Sequence, residues 1–214
     1  ANPNTSTGVT DRLVTAGKLV AGPGTELLPM TAPRGVPYIA TRAEAAIGSA
    51  MMLEMLAERR GTFDAAIVAA FGDPGLGGAR ELFDFPVVGM AEAAMLVACT
   101  LGRRFAIVSF AKALEPWFAE IVDWHGMSGR CAAIRTPDEG FRSIDDVQHE
   151  KEQVLIDLAL STVKNDGADV VILAGAPLAG LANTIRDRVP VPLVDGIQAA
   201  VTMAEGLVRL NPRK

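Results

Sequence analysis

Short, unbroken runs of hydrophobic residues alternate along the chain with longer stretches in which hydrophobic positions recur at helical spacing. The clearest short run covers residues 65–70, and a second covers residues 170–174. Runs of this length are typical of parallel strands that are covered on both faces, and the helical stretches between them are typical of βαβ units. The pattern therefore predicts an α/β fold in which parallel sheets are flanked by helices.

Both runs belong to a longer pattern that occurs twice in the chain. An aspartate precedes each run, and the two aspartates are 169 − 64 = 105 positions apart. A proline begins each following strand, and these prolines are 192 − 86 = 106 positions apart. Residues 1–6 also match residues 106–111 at an offset of 105. Self-similarity of this long period predicts two pseudo-symmetric lobes that arose by internal duplication.

The repeat also suggests where one lobe ends and the next begins. We expect a first lobe of residues 1–98 with 197–214 and a second lobe of residues 99–196, with the last helix crossing back to the first lobe. Residues 25–30 are predicted to form a second strand, after a first strand of which the chain carries only the end. Ligands of open α/β sheets bind at the carboxyl ends of the strands. We therefore expect the active site in the cleft between the lobes.

Composition narrows the class of protein. The chain has 214 residues, of which 50% are hydrophobic and 21% charged, so it can bury a large core. Its net charge of −5, without a basic run, argues against nucleic-acid partners. It shows no stretch long enough to cross a membrane and no export signal, so we expect a cytoplasmic protein that acts on a small molecule. We also expect a homo-oligomer.

The metal-binding residue types are few and scattered. Cys99 lies in an apolar helical pattern and Cys131 opens a predicted strand, so both are expected to be buried, reduced thiols. His125 and His149 have no second ligand at metal-binding spacing. The sequence predicts no metal site.

Several polar residues lie at the predicted strand ends. Asn4, Thr5 and Ser6 precede a predicted helix, where they either cap the helix or bind a carboxylate or imide oxygen at its N-terminus. Tyr38 lies in a loop that is long for a connector, and it either lines a pocket or packs in the core.

The turn after the first run forms the other wall of the predicted site. It begins at Ala70 and Phe71 and includes Asp73, which either forms the turn or serves as a catalytic carboxylate. Glu92 lies in the first turn of the next helix, where its charge suits the helix dipole. Asp195 is expected to cap the last helix.

Four segments of the chain form a recognisable set: residues 2–6, 71–76, 88–94 and 192–196. Together they resemble the aspartate/glutamate/hydantoin racemase superfamily, and hydantoin and allantoin racemases most closely. The resemblance covers nearly the whole chain in the right order. It implies a cofactor-independent enzyme with its substrate between two lobes. One thiolate removes the α-proton, and a thiol on the opposite side returns one.

At both thiol positions the sequence departs from this family. The resemblance places the first cysteine just before Phe71, where this chain has Ala70. It places the second within residues 174–176, which read Ala-Gly-Ala. Neither alanine nor glycine can transfer a proton. The family resemblance therefore predicts a racemase or other isomerase, and the missing cysteines predict that its chemistry is altered. We expect its substrate to be a small amide, imide, ureide or amino-acid-like molecule.

Other side chains then become the candidates for catalysis. Ser109 occupies a strand end where family members place a substrate-binding hydroxyl, and a serine nucleophile needs a base within reach. Gly175 and Ala176 leave room for backbone N–H groups to approach an oxyanion. The alternatives are a hydrolase that uses activated water or Ser109, and a non-catalytic protein that binds a small anion. The predicted catalytic residues are Asp73, Ser109 and Glu92, and the predicted substrate-binding residues are Asn4, Thr5, Ser6, Tyr38, Ala70, Phe71, Phe110, Gly175, Ala176, Pro177 and Leu178.

Overall fold

The computed structural model describes residues 1–210, in which helices and strands alternate after two initial helices. The strands are β1 (Ala66–Val68), β2 (Val87–Gly89), β3 (Phe105–Val108), β4 (Cys131–Arg135), β5 (Val170–Leu173) and β6 (Leu193–Asp195). The helices are α1 (Thr7–Lys18), α2 (Arg42–Glu58), α3 (Leu76–Leu82), α4 (Met90–Leu101), α5 (Glu115–Trp124), α6 (Val147–Ser161), α7 (Leu181–Ile185) and α8 (Gly196–Leu210).

These strands form two parallel sheets. One consists of β1 and β2, and the other has the order β4-β3-β5-β6. All residues of β3 and β5 are buried, because helices cover both faces of the larger sheet. This burial explains the unbroken hydrophobic runs in the sequence. The predicted α/β architecture is confirmed.

The strand predicted over residues 25–30 is not formed. Its neighbourhood contains only an isolated parallel bridge between Asn2 and Thr31, and the Asn2 N–H donates to the Met30 carbonyl at 2.8 Å. A ladder needs a partner along its whole length, and only Ala1 and Asn2 run beside this segment. The prediction was wrong because strand pairing depends on the neighbour as well as on the segment.

The strand ends also correct the alignment of the two halves. Hydrogen bonds on either side of Val68 put Ala1 opposite it, and Val108 lies opposite Leu173 in the second sheet. Val68 and Leu173 are 173 − 68 = 105 residues apart, which is the predicted offset. Ala1 and Val108, which lie opposite them, are 108 − 1 = 107 residues apart, two more than predicted. A shift of two residues keeps every side chain on the same face of the sheet. The hydrophobic pattern therefore could not detect it.

The last helix ties the two sheets together. α8 begins at the end of β6 and packs against α1, α4, β1 and β2. Its residues Ile197 and Val201 share one core with Leu13 of α1. The lobe boundaries given above stay a prediction. Within residues 1–210, no helix has the length and apolar character that crossing a membrane requires.

Candidate functional site

The predicted cleft is a narrow crevice between the two sheets. Residues that follow β1, β2, β5 and β6 meet there, as expected for the carboxyl ends of parallel strands. The space is too narrow for a water molecule in this conformation. Its lining residues are Phe71, Met90, Leu173, Gly175, Ala179, Asp195, Gly196 and Ile197.

An aromatic cluster stands beside the crevice. Phe110 is fully buried, and its ring centre lies 6.0 Å from that of Tyr38 and 5.1 Å from that of Phe141. Gly175 has φ = +115°, and a Cβ built on it would lie 2.9 Å from Cε1 of Phe110. The Phe110 ring therefore fills the space that any side chain at position 175 would need. This is one of the positions in which the sequence comparison expected a thiol.

The Tyr38 side chain both packs and offers a polar group. Its ring contacts Phe110 and Phe141, yet its hydroxyl is buried without a hydrogen-bond partner among the described residues. Burial, and then the charge of Glu44, raise the pKa of the Tyr38 phenol well above its ordinary value. The hydroxyl stays protonated, so it can donate to a ligand oxygen. A buried, unsatisfied hydroxyl is costly, which makes such a ligand contact favourable.

The polar residues that precede α1 hold one another. Asn2 is buried and donates to Oδ1 of Asn4 at 3.0 Å and to the Ser6 carbonyl at 3.1 Å. Ser6 caps α1, since its hydroxyl accepts an N–H from the first turn. The Thr5 N–H donates to the Val36 carbonyl at 2.9 Å. These contacts support the capping role for Ser6, and a ligand role for the three predicted residues stays a prediction.

Asn2 was missed by sequence reasoning. It is 1% exposed and, by the strand register, is the counterpart of Ser109 in the second sheet. The Ser109 hydroxyl donates to the Ala174 carbonyl at 2.8 Å and is fully buried. This contact fixes the end of β3 to the end of β5, and a nucleophilic role for Ser109 stays a prediction.

The turn after β5 is held by side chains from both lobes. Gln148 Nε2 donates to the Pro177 carbonyl at 2.9 Å, and Arg12 Nη1 of α1 donates to the same oxygen at 3.2 Å. Ala176 and Leu178 in this turn are buried, as is Ala70 across the crevice. These small and apolar residues shape the walls and offer no titratable group.

Asp73 lies in a strained turn and caps the next helix. It has φ = +47° and is the one described non-glycine residue with a positive φ. Its carboxylate accepts the N–H groups of Ala91 and Glu92, both at 2.8 Å, at the N-terminus of α4. A Cβ at Gly89 would lie 2.3 Å from this carboxylate, so the glycine is required for the close approach.

His125 joins this group from the end of α5. Its Nε2 lies 3.3 Å from Oδ2 of Asp73, in an alignment that makes the contact electrostatic, without the geometry of a hydrogen bond. Its Nδ1 lies 3.8 Å from Glu92, which also pairs with Arg80. Burial raises the pKa of Asp73 above its ordinary value, while His125 and the two backbone N–H groups oppose this rise. The resulting carboxylate–imidazole pair can hold a proton or pass one on.

Sequence reasoning did not find this pair. His125 follows Asp73 by 125 − 73 = 52 residues, and a single histidine at the end of a helix carries no spacing signal. Only the packing of α5 against the turn after β1, where a Cβ at Gly72 would lie 2.5 Å from Trp117, brings the two together.

Asp195 is a second buried carboxylate, on the other side of the crevice. It caps α8 by accepting N–H groups of Ile197 and Gln198, as predicted, and it also accepts the Gly180 N–H at 2.6 Å. Burial raises its pKa above the ordinary value, against the effect of these three N–H groups. The two lobes thus each place one buried carboxylate at a helix N-terminus near the crevice.

The cysteines lie outside the crevice. Cys99 contacts Met127 and Cys131 opens β4, and both are free thiols. Burial raises the pKa of Cys131 to about 11, so its thiolate is scarce at neutral pH. Within residues 1–210, no three His, Cys, Asp or Glu side chains group together as metal ligands would.

Comparison with known proteins shows the family to which the chain belongs. The family model described as Asp/Glu/Hydantoin racemase matches residues 1–204. A hydantoin racemase of Paenarthrobacter aurescens is 34% identical over 98% of this chain and 90% of its own length. The structure of an allantoin racemase from Klebsiella pneumoniae has a TM-score of 0.94, is 34% identical, and is matched over 99% of this chain and 87% of that one. The structure of an allantoin racemase from Pseudomonas fluorescens has a TM-score of 0.92 and is 30% identical, matched over 99% of this chain and 90% of that one.

Proposed function

Because the chain belongs to the Asp/Glu/hydantoin racemase family, we propose that it is an enzyme that transfers a proton at the carbon beside a carbonyl group of a small cyclic ureide, without a cysteine and without a cofactor. The relatives named above are hydantoin and allantoin racemases, which suggests this substrate class. The observation that carries the proposal is the Asp73–His125 pair at the N-terminus of α4, whose first residue, Met90, lines the crevice. It supplies titratable groups where Ala70 and Gly175 supply none.

In this proposal the substrate lies between the lobes, and Tyr38 helps to hold it. The protonated hydroxyl of Tyr38 would donate to a carbonyl oxygen of the ureide, which stabilises the negative charge that develops when the neighbouring carbon loses its proton. The crevice must open to admit a ligand, because it has no room for a water molecule when closed. Phe110 and Phe141 would contact the substituent of the ring.

Inversion needs proton transfer on both faces of the carbon. We assign one face to Asp73 of the first lobe, paired with His125, and the other face to Asp195 of the second lobe. Burial raises the pKa of both carboxylates, which favours groups that must take up a proton as well as release one. The helix N-termini that they cap hold them in fixed positions.

The test is a screen of 5-substituted hydantoins, allantoin, cyclic imides and free amino acids in deuterium oxide. Proton NMR would follow exchange at the α-carbon, chiral chromatography would follow inversion, and mass spectrometry would detect the added water of hydrolysis. We expect exchange with unchanged connectivity. A product heavier by one water would replace the proposal with ring opening or amide hydrolysis.

Three asparagine variants locate the proton-transfer groups. Asp73→Asn and Asp195→Asn keep a capping oxygen but lose the titratable group, and each should lower exchange by about 10²–10⁴-fold. Asp169→Asn is the matched control, because Asp169 also accepts two backbone N–H groups, from Arg103 and Arg104, but lies outside the crevice. Equal activity in all four proteins would refute the assigned roles.

A second candidate is a protein that binds a small ligand without turning it over. Ala70, Gly175 and the buried hydroxyl of Ser109 favour it, because none of them is free to move a proton. Saturable binding of a hydantoin by calorimetry, without isotope exchange under the same conditions, would select this function. A homo-oligomer and a cytoplasmic location remain part of the proposal, and light scattering of the purified chain tests the first.

A further inference from the structure

The segment between β4 and α6 covers the aromatic cluster beside the crevice. Its residue Phe141 is half-buried and lies edge-on to both Phe110 and Tyr38, with ring centres 5.1 Å and 6.1 Å apart. Tyr38 is the one tyrosine of the chain, and its buried hydroxyl has no hydrogen-bond partner among the described residues. Phe141 thus covers the side chain assigned above to the ligand.

Side chains hold this segment in place. Between β4 and α6 the described chain forms neither helix nor strand. Arg12 of α1 donates from Nη2 to the Asp145 carbonyl at 2.8 Å and from Nη1 to the Ile144 carbonyl at 3.4 Å. Glu150 of α6 accepts the Arg142 N–H at 2.9 Å. A segment without a backbone ladder opens at a lower free energy than the sheet beside it.

Arg12 also reaches the turn after β5. Its Nη1 donates to the Pro177 carbonyl at 3.2 Å, and Gln148 donates to the same oxygen. One guanidinium therefore joins α1, the segment before α6 and a turn that follows Gly175 in the wall of the crevice. A guanidinium suits this task, because its five donors are arranged in a rigid fork. Lifting the segment must break the bonds to Ile144 and Asp145 together.

We propose that residues 141–146 form a strap that lifts to admit a ligand to Tyr38, and that Arg12 is the positioning residue that latches the strap closed. The crevice calls for the same kind of motion, since it has no room for a water molecule until its walls move. When the strap closes, Phe141 keeps water away from the hydrogen bond between Tyr38 and the ligand, which strengthens that bond. This role rests on the proposed function for the identity of the ligand, whereas access to Tyr38 can be measured without one.

Two chemical probes measure the opening of the strap in the 214-residue chain without substrate. Trypsin cleaves after Arg142, which is exposed within the strap, and cleavage after Arg60, exposed in the turn that follows α2, is the internal reference. Tetranitromethane nitrates Tyr38 when its ring is accessible, and mass spectrometry quantifies the product. Because the chain has one tyrosine, this signal reports on the site alone.

The variants are Arg12→Gln, Arg12→Lys and the matched control Arg130→Gln. The Arg130 guanidinium also donates to three backbone carbonyls, those of Cys99, Gly102 and Arg103. It lies just before β4, at the amino ends of the strands and away from the crevice. Circular dichroism confirms that each variant is folded, and Arg12→Lys carries the test if Arg12→Gln does not fold.

We expect Arg12→Gln to raise both the cleavage after Arg142 and the nitration of Tyr38 at least about tenfold, because charge-assisted hydrogen bonds hold the strap. Arg12→Lys should have a smaller effect, because an ammonium lacks the fork of donors that reaches several carbonyls. Cleavage after Arg60 should stay constant, and Arg130→Gln should leave both rates unchanged.

Three results would overturn the inference. A rise in only one of the two rates would show that the strap does not cover Tyr38. An equal rise at Arg60, or an equal effect of Arg130→Gln, would show general destabilisation in place of a latch. Unchanged rates in Arg12→Gln would show that Arg12 does not hold the strap. None of these results depends on turnover of a hydantoin, so they leave the proposed function to its own test.

Discussion

The contact between Gly175 and Phe110 gives a prediction in which the magnitude follows from the structure. Gly175→Ala adds one carbon, which would lie 2.9 Å from Cε1 of Phe110, closer than such contacts normally come. Because Phe110 is fully buried against Tyr38 and Phe141, its ring can move only by disturbing its neighbours. Overpacking of this kind destabilises by about 1–3 kcal/mol.

The backbone adds a second contribution. Gly175 has φ = +115° and ψ = +130°, a sparsely populated combination that costs a residue with a side chain about 1–3 kcal/mol. Gly175→Ala should therefore lower the free energy of unfolding by about 2–6 kcal/mol in total. For a chain of this size the Tm should fall by roughly 5–15 °C.

Urea unfolding of two further variants separates these contributions. Gly24 also has a positive φ, +86°, but nothing lies within 4 Å of its added Cβ, so Gly24→Ala shows the cost of a positive φ without a clash. In the background Phe110→Ala, the added Cβ of Gly175→Ala meets no ring, and its destabilisation should shrink to the backbone contribution alone. If Gly175→Ala costs as much in the Phe110→Ala background as in the native one, the proposed packing of Phe110 against position 175 is refuted.

Two further predictions concern titratable groups. Burial raises the pKa of Asp73, so the native state keeps its proton to higher pH than the unfolded chain, and stability should fall as pH rises above about 4. Asp73→Asn should flatten this fall, and parallel urea-unfolding curves of the two proteins across this pH range would contradict the prediction. Because burial raises the pKa of Cys131 to about 11, its thiol should react with iodoacetamide at pH 7.5 at least about tenfold more slowly in the native than in the unfolded chain. Alkylation should leave the enzyme activity intact. A loss of activity that follows the modification of Cys99 or Cys131 would refute catalysis without cysteine.

Local patterns in the sequence were sufficient for the main elements. The unbroken runs of β3 and β5 mark strands buried on both faces, because helices cover this sheet on either side. The caps at Ser6 and Asp195 were also predictable, since a capping residue acts within three residues of its own position. The family was visible for the same reason, because its motifs are short segments at strand ends.

Contacts between distant segments were decided only by the tertiary structure. His125 reaches Asp73 because α5 packs against the turn after β1, and no periodicity links residues 52 positions apart (125 − 73 = 52). Phe110 lies against Gly175 because their strands, β3 and β5, are neighbours. Each of these contacts depends on which strands pair and how helices cover them.

In the sheet of the first lobe, too, the sequence predicted segments while the tertiary structure decided their pairing. The sequence predicted a strand over residues 25–30, but no strand forms there, because a strand exists only where a partner supplies its hydrogen bonds. The register of Ala1 opposite Val68 was equally invisible, because a shift of two residues leaves the hydrophobic pattern unchanged. Side-chain periodicity thus determined which segments are strands and which face is buried, while pairing and register were decided by hydrogen bonds between segments far apart in the chain.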